Sequence, residues 1–348
     1  MVEEFHIEYV NLRREQNVIE IRRFLERFGL SFDADVVFTV AVRDLDGTLV
    51  GTGSSQGEVL RNIAVDESIQ GAGLTSFILS ALMQEMSRKG ILHYFIFTRP
   101  DKAFLFANLG FNEIARAEPY AALLESGLDS VASYCDDIAQ KTAHIPGKRA
   151  ALVINGNPFT KGHRALIEKA AMECPGAIVF VVSEERSLFP FKDRLRLIRE
   201  GVRDLTNVAV VEGGKYIISA ATFPTYFTRE QDQVKAQTRL DISLFAQQIA
   251  PRLDITDRYI GEEPYCPVTN EYNEAMLELL LPAGIATHLV PRISVAGEIV
   301  SASRVRDLIR TGGWTRLERL VPPVTLAYLR SDENTAIMDT IQSSNTRH

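Results

Sequence analysis

The chain has 348 residues, 46% of them hydrophobic and 24% charged, enough apolar surface for two cores without disulfides or a structural metal. A formal net charge of −7 excludes a broad electrostatic grip on nucleic acid and leaves only local basic clusters for an anionic ligand. No apolar run approaches the ~20 residues of a membrane span, so neither nucleic acid nor membrane is an expected partner.

The first ten residues carry Glu3, Glu4 and Glu8 and do not read as a signal peptide. Cys135, Cys174 and Cys266 are far apart, a sparse, odd count that suits reduced thiols. Cytoplasmic placement is the expectation.

From about Val37 to Ala115 short strands and helices alternate. Phe38–Val42 is β-branched and apolar, Asp46-Gly47 signals a hairpin turn, and Leu49–Gly53 returns. Leu60–Val65 reads as a third strand. A helix is expected over Leu74–Arg88, with Phe77, Ile78, Leu82 and Met86 at helical spacing. Ile91–Phe97 is a buried strand, Lys102–Asn108 a short helix, and Gly110-Phe111 opens a last strand. Residues 126–148 read as a connector holding a helix near Asp129–Gln140.

A second alternation starts at Ala150–Ile154, a continuous apolar run of the kind found in central parallel strands. Helix Gly162–Met172, strand Ala177–Val182, helix Lys192–Arg203 and strand Val208–Val211 follow. Gly213–Pro251 interrupts with an aromatic loop and a helix near Val234–Ile249. Strand Arg258–Gly261, helix Asn273–Leu281, strand Thr287–Val290 and helix Ser301–Thr311 complete the pattern of a doubly wound α/β sheet. A polar tail is expected beyond Ser331. The expected organisation is therefore 1–125, 126–148 as connector, 149–330 and 331–348 as tail.

Asn155-Gly156-Asn157-Pro158-Phe159-Thr160-Lys161-Gly162-His163 lies between the first strand of the second region and its helix. Ligands bind at that carboxyl edge of an open parallel sheet. The helix start directs unpaired N–H groups and a positive dipole end at the site, which favours phosphate. His163 can donate to a phosphoryl oxygen and Lys161 adds a charge. Alone, such a turn is more commonly a plain strand-to-helix connection. A second element, Val300-Ser301-Ala302-Ser303-Arg304-Val305-Arg306, places hydroxyls at a helix start and an arginine fork one turn on.

Together the two elements resemble the nucleotidyltransferase superfamily, with its (H/T)xGH and late ISxTxxR-like signatures. Thr160, Gly162 and His163 match the first; Ser301, Ser303 and Arg306 match the second, with Val300 in place of Ile and Ser303 in place of Thr. The resemblance implies ATP as ligand, usually with magnesium. It assigns Asn155, Gly156, Asn157, Phe159, Thr160, Gly162, His163, Lys192, Arg194, Ser301, Ser303 and Arg306 to ATP. Thr160, Lys161 and His163 are the candidate catalytic residues.

Longer segments are more specific. Asn157–Arg164, Phe189–Arg194, Tyr216–Ser219, Ala221–Pro224, Gly261–Pro264, Cys266–Thr269 and Tyr272-Asn273 resemble the citrate lyase ligase family. That resemblance implies activation of acetate by ATP as acetyl-adenylate. The acetyl group then passes to the thiol of the phosphoribosyl-dephospho-CoA arm on the acyl-carrier subunit of citrate lyase. The residues also leave open an adenylyltransferase, or an N-acetyltransferase whose second region only senses nucleotide. No metal ligands can be chosen.

Val65–Leu74 resembles the acyl-CoA loop of GNAT acetyltransferases, with Gln70, Gly71 and Gly73 as candidates for a CoA-like arm and Thr75 departing from the pattern. Asn108–Phe111 resembles the late GNAT signature. The expected fold class is α/β: a GNAT-like domain followed by a Rossmann-like, doubly wound nucleotidyltransferase domain.

Overall fold

The computed structural model describes residues 4–32, 35–69, 73–183, 185, 187–217, 233–262, 267–331 and 334–343. The chain divides into two units, Met1–Ser133 with Pro224–Ala236, and Tyr134–Phe223 with Gln237–His348.

Two elements precede the first expected strand in the first unit, β1 (His6–Tyr9) and α1 (Glu15–Glu26). Ile21, Phe24 and Leu25 of α1 are buried, one face of a helix by their spacing. There follow β2 (Phe38–Arg43), β3 (Leu49–Gln56), β4 (Val59–Val65), α2 (Leu74–Arg88), β5 (His93–Thr98), α3 (Ala103–Ala107), β6 (Asn112–Ala117) and β7 (Ala121–Gly127). The hairpin between β2 and β3 forms because the Asp44 carboxylate accepts from the amides of Asp46 and Thr48 at 3.0 and 2.8 Å, while Gly47 takes the left-handed φ of +81°.

Strand order is β1-β2-β3-β4-β5-β7-β6. The pairing is antiparallel except for β4 against β5, which are parallel and matched only at Val59–Phe95 and Leu60–Ile96. Ile78, Leu82 and Met86 of α2 pack with Val40, Leu60 and Ile96 of the sheet. This mixed sheet with its inserted last strand has the expected GNAT-like form.

The connector holds one helix, α4 (Val131–Lys141). The second unit continues with β8 (Arg149–Ile154), α5 (Lys161–Glu173), β9 (Gly176–Val181), α6 (Phe191–Gly201), β10 (Val208–Glu212) and, from Gln237 on, α7 (Gln233–Leu244). A π-helical turn over Phe245–Ile249 leads to α8 (Ala250–Arg252), then β11 (Ile255–Gly261), α9 (Pro267–Leu280) and β12 (Ala286–Val290). The last elements are a small hairpin of β13 (Ser294–Val295) and β14 (Glu298–Ile299), then α10 (Ala302–Arg310), α11 (Trp314–Leu320), α12 (Pro323–Leu329) and α13 (Thr335–Ser343).

Five strands run parallel in the order β10-β9-β8-β11-β12, a Rossmann-like half. Leu152, Ile154, Val179 and Val181 of the sheet join Ile167, Ile198, Leu308 and Leu320 of the helices in one core. Each such aliphatic side chain contributes roughly 1.5–3 kcal/mol of transfer free energy. In place of a polar tail beyond Ser331, α13 buries Ile341 completely, and the Arg310 Nε donates to its carbonyl at 3.2 Å. Among the described residues no helix is long and apolar enough to cross a membrane.

Candidate functional site

The chain leaves β8 for β9 on one side, whereas β11 lies on the other. The carboxyl ends of β8 and β11 therefore flank a topological switch point, where open α/β sheets bind ligands. The turn from Asn155 to Thr160 leaves β8 at this point and α5 begins at its end.

Thr160 is the N-cap of α5 and is 1% exposed. Its hydroxyl accepts from the His163 amide at 3.4 Å, and the Thr160 amide donates to His163 Nδ1 at 3.1 Å. This reciprocal capping box fixes the tautomer. Nδ1 is an acceptor, so the ring proton sits on Nε2. The imidazole stacks over Phe159 at 6.0 Å, and the residue as a whole is partly exposed. Burial, reinforced by the charge of Arg292, lowers its pKa to about 4. His163 is therefore a neutral donor at pH 7.

The second element meets the first directly. Arg306 is 5% exposed; its Nη1 donates to the Asn157 carbonyl at 2.5 Å and its Nη2 to Ser303 Oγ at 3.4 Å. Burial lowers the Arg306 pKa, and Arg310 adds to the effect. The Ser301 hydroxyl caps α10 by accepting from the Arg304 amide at 3.1 Å. Gly162 permits the approach, since a Cβ there would stand 3.2 Å from the Val300 carbonyl. Two helix N-termini, α5 and α10, thus converge beside His163.

Several residues assigned to ATP from sequence take other positions. Phe159 is fully buried and packs against α6 at Gly201, so it supports the turn from below. Arg194 is also fully buried. Its Nε donates to the Phe189 carbonyl at 2.9 Å, and its Nη1 donates to the carbonyls of Asn155 and Val182 at 2.9 and 2.8 Å. A guanidinium so engaged is a brace for the ends of β8 and β9, which corrects its reading as a phosphate ligand. Arg306 likewise bridges the two elements before any phosphate arrives. Asn157 is 7% exposed and accepts from the Phe189 amide at 3.1 Å, so its side chain also shapes the loop. Asn155, Lys192 and Ser303 are exposed, and Lys161, Gly162, His163 and Ser301 partly so.

Gly156 has φ of +64°, and a Cβ would lie 2.9 Å from Ile198 Cδ1. We expect Gly156→Ala to cost about 1–3 kcal/mol through strain and overpacking, read by urea unfolding. Ile198→Val in the same chain should recover part of the loss; a neutral single variant would show that the turn adapts.

The family is visible in the sequence comparison. Residues 149–329 match the family model described as the citrate lyase ligase C-terminal domain, more than half of the chain. The chain belongs to the citrate lyase ligase family. It is similar to the [citrate [pro-3S]-lyase] ligase of Klebsiella pneumoniae, 41% identical over 89% of this chain and 91% of that one. The Escherichia coli K12 ligase is 35% identical over 93% and 94% of the two chains, and the Haemophilus influenzae ligase 34% identical over 93% and 98%.

In this family member the sequence reading overlooked Arg292. It lies two residues beyond β12, at the same carboxyl edge, and its Nε donates to the Glu262 carbonyl at 2.8 Å. Its charge reaches His163. The signal that could have found it is placement, since it closely follows the end of a parallel strand. Of the Gly261–Pro264 segment, Glu262 is exposed, whereas Glu263 and Pro264, like Cys266 beyond it, lie outside the described residues. So do Gln70, Gly71 and residues 218–227 of the aromatic loop. Gly73, described, heads α2 at φ +80°, the left-handed conformation that glycine adopts without cost.

Proposed function

We propose that this chain joins ATP and acetate into acetyl-adenylate and pyrophosphate, then passes the acetyl group to the thiol of the CoA-like arm on the citrate lyase acyl carrier. The observation that carries this reading is the junction of the Thr160–His163 turn with the Ser301–Arg306 element at the switch point. Family membership supplies the substrates, and as an acid–thiol ligase the protein works in the cytoplasm.

In the first step an acetate oxygen bonds to the α-phosphorus while the bond to the bridging oxygen of pyrophosphate breaks. Charge on the non-bridging oxygens is met by the His163 Nε2–H, by Lys161 and by the amides of α5. The N-terminus of α10, with Ser303, Lys192 and Arg292, faces the departing pyrophosphate. Positioning two anions against each other is the larger part of the task, because acetate is a weak nucleophile. Magnesium fits this reading as the ATP complex, a common mode for that ion. Among the described residues no three His, Cys, Asp or Glu side chains converge on one point. In the second step sulfur attacks the acyl carbon, AMP leaves, and the thiol proton is released. The Val65–Leu74 loop, with Gln70, Gly71 and Gly73, is read as the contact for the CoA-like arm.

The test measures pyrophosphate release with and without acetate, and then acetyl transfer to a thiol carrier. Acetate-dependent release with AMP as the final nucleotide is expected. Acetate-independent release with a dinucleotide product would establish an adenylyltransferase instead. Acetylation from acetyl-CoA without ATP would establish an N-acetyltransferase.

A further inference from the structure

Strand β10 is one edge of the parallel sheet. The Ala177 amide donates to the Asn207 carbonyl at 2.9 Å, and the Gly213 amide to the Val181 carbonyl at 2.7 Å. With β10 in register on β9, the peptide groups of Val208, Val210 and Glu212 therefore face outward. That edge is already engaged. The Val208 amide donates to the Leu205 carbonyl at 3.1 Å, Arg199 Nε to the Val210 carbonyl at 3.3 Å, and the Tyr134 hydroxyl to the Glu212 carbonyl at 3.2 Å. An added strand would have to break these contacts, so a partner at this edge is met by side chains.

Those side chains line a groove of about 270 Å³ that is open to solvent and lies within the second unit. Its floor is apolar, with Val202 at 3% exposure and Val208 and Val210 half-buried. Arg199 and Arg203, at the end of α6, and His144, ahead of β8, are exposed around it, and no carboxylate lines it. The acids beside the two arginines in sequence turn elsewhere. Glu200 lies 3.8 Å from Arg196, and Asp204 accepts from Arg164 at 2.7 Å.

Arg199 and Arg203 stand four residues apart, a spacing at which like charges on a helical turn repel. One cation there would complement the helix dipole; the second gains an acidic partner from nowhere among the described residues. In a chain of net charge −7 this is a local cationic rim over an apolar floor. Its complement is an apolar side chain flanked by carboxylates. Arginines around an apolar centre are a pattern that dominates protein–protein contacts. The groove is also smaller and more open than the ~300–1,000 Å³ clefts that enclose small molecules.

Position fits as well. β10 lies two strands from β8, about 10 Å away, and Val210 is two residues, about 7 Å, short of the carboxyl end of its strand. The phosphate turn leaves β8 at that same edge. A CoA-like arm, with nucleotide, phosphates and pantetheine chain in series, can cross such a span.

We propose that this groove docks the acyl-carrier subunit through an acidic, amphipathic segment, and holds it while its arm reaches the Thr160–His163 turn. The proposal rests on the carrier reading above.

The test uses the full chain and the purified acyl-carrier subunit with its thiol arm. The double substitution Arg199→Glu, Arg203→Glu is expected to raise KM for the carrier by about 10-fold or more, because like charges then face each other. Acetate-dependent ATP–pyrophosphate exchange needs no carrier and should stay within about twofold, since neither arginine lies at the phosphate turn. Arg203→Glu alone leaves the Arg199 bond to Val210 in place and should act in the same direction. In the wild type KM for the carrier should rise with salt, and the double variant should lose most of that slope, which a purely structural role would not change. Carrier binding measured by calorimetry without ATP should weaken in parallel.

Unchanged carrier binding, or an equal fall in exchange and in carrier acetylation, would overturn the docking site. A wild-type Tm raised by sodium citrate over sodium chloride of equal ionic strength, lost in the double variant while carrier binding is unaltered, would make the groove a small-anion site instead. Dimers that need the two arginines, again with unaltered carrier binding, would assign it to a second copy of the chain. If the carrier binds through the two arginines but acetate drives no exchange, the docking site stands and the acetate reading fails.

Discussion

His163→Ala is expected to lower acetate-dependent pyrophosphate release by about 10²–10³-fold, the usual consequence of removing one preorganised donor to a developing charge. KM for ATP should change far less, because the amides of two helix N-termini and the neighbouring cations still bind the phosphates. Some stability is lost as well, since the ring closes a capping box on Thr160. The cost of a missing cap is typically about 1 kcal/mol. His163→Asn, which keeps a donor and can keep part of the cap, should retain more activity than Ala. Full activity in His163→Ala would remove this residue from the chemistry.

The pH dependence follows from the same ring. The folded-state pKa of His163 is about 4, below the ~6.5 of an unfolded chain. As pH falls through 6.5 the unfolded state takes up a proton first, and the folded state is progressively disfavoured down to pH 4. Above pH 6.5 the contribution is constant. At pH 5 the loss is at most about 2 kcal/mol. Urea midpoints measured from pH 7 to pH 5 should fall less steeply in His163→Asn than in the wild type. In turnover, no break near pH 6.5 is expected from His163, because it is already neutral there. A kcat profile that rises with protonation near pH 6.5 and is abolished by His163→Asn would contradict a neutral donor.

The second large effect is on stability. Arg194→Met should destabilise the second unit by about 3 kcal/mol or more, because the carbonyls of Asn155, Val182 and Phe189 lose their donor together. For a unit of this size that is a Tm decrease of roughly 6–12 °C. Arg194→Lys should recover little, since one ammonium on a flexible stem cannot replace a planar fork that reaches three segments. The loop from Asn155 to Thr160 would loosen, and activity would fall through misplacement of His163. If Arg194→Met kept its Tm and lost only ATP affinity, the side chain would be a phosphate ligand after all.

Arg194 also shows where sequence reasoning stops. A basic residue just inside a helix that follows a parallel strand is read as ligand-facing. Whether it faces solvent or turns inward depends on backbone carbonyls from three separate segments, and no local pattern reports those. Phe159 fails for a related reason: beside a phosphate turn an aromatic ring can stack on a base or fill the core, and the bare Gly201 of α6 draws it inward. Arg292 carries no motif and acquires meaning from its position after β12. Helix α13 went unread because it is short and follows a polar stretch, while its one fully buried anchor, Ile341, has its partners more than thirty residues away.

Much was local and therefore legible. The period of apolar residues marked many of the strands and helices between β2 and α10, because burial on one face demands it. The Asp46-Gly47 turn followed from backbone sterics, and the cap at Ser301 from the chemistry of a hydroxyl before a helix. The two short phosphate elements and the longer family segments indicated an ATP-using ligase. Tertiary structure alone decided which charges remain free to meet a ligand. Strand order brought β8 beside β11, Gly162 let α5 approach α10, and burial made His163 a neutral donor, Arg194 a brace and Arg306 a bridge. Sequence specifies which groups are present, whereas their protonation and their partners depend on what the fold packs around them.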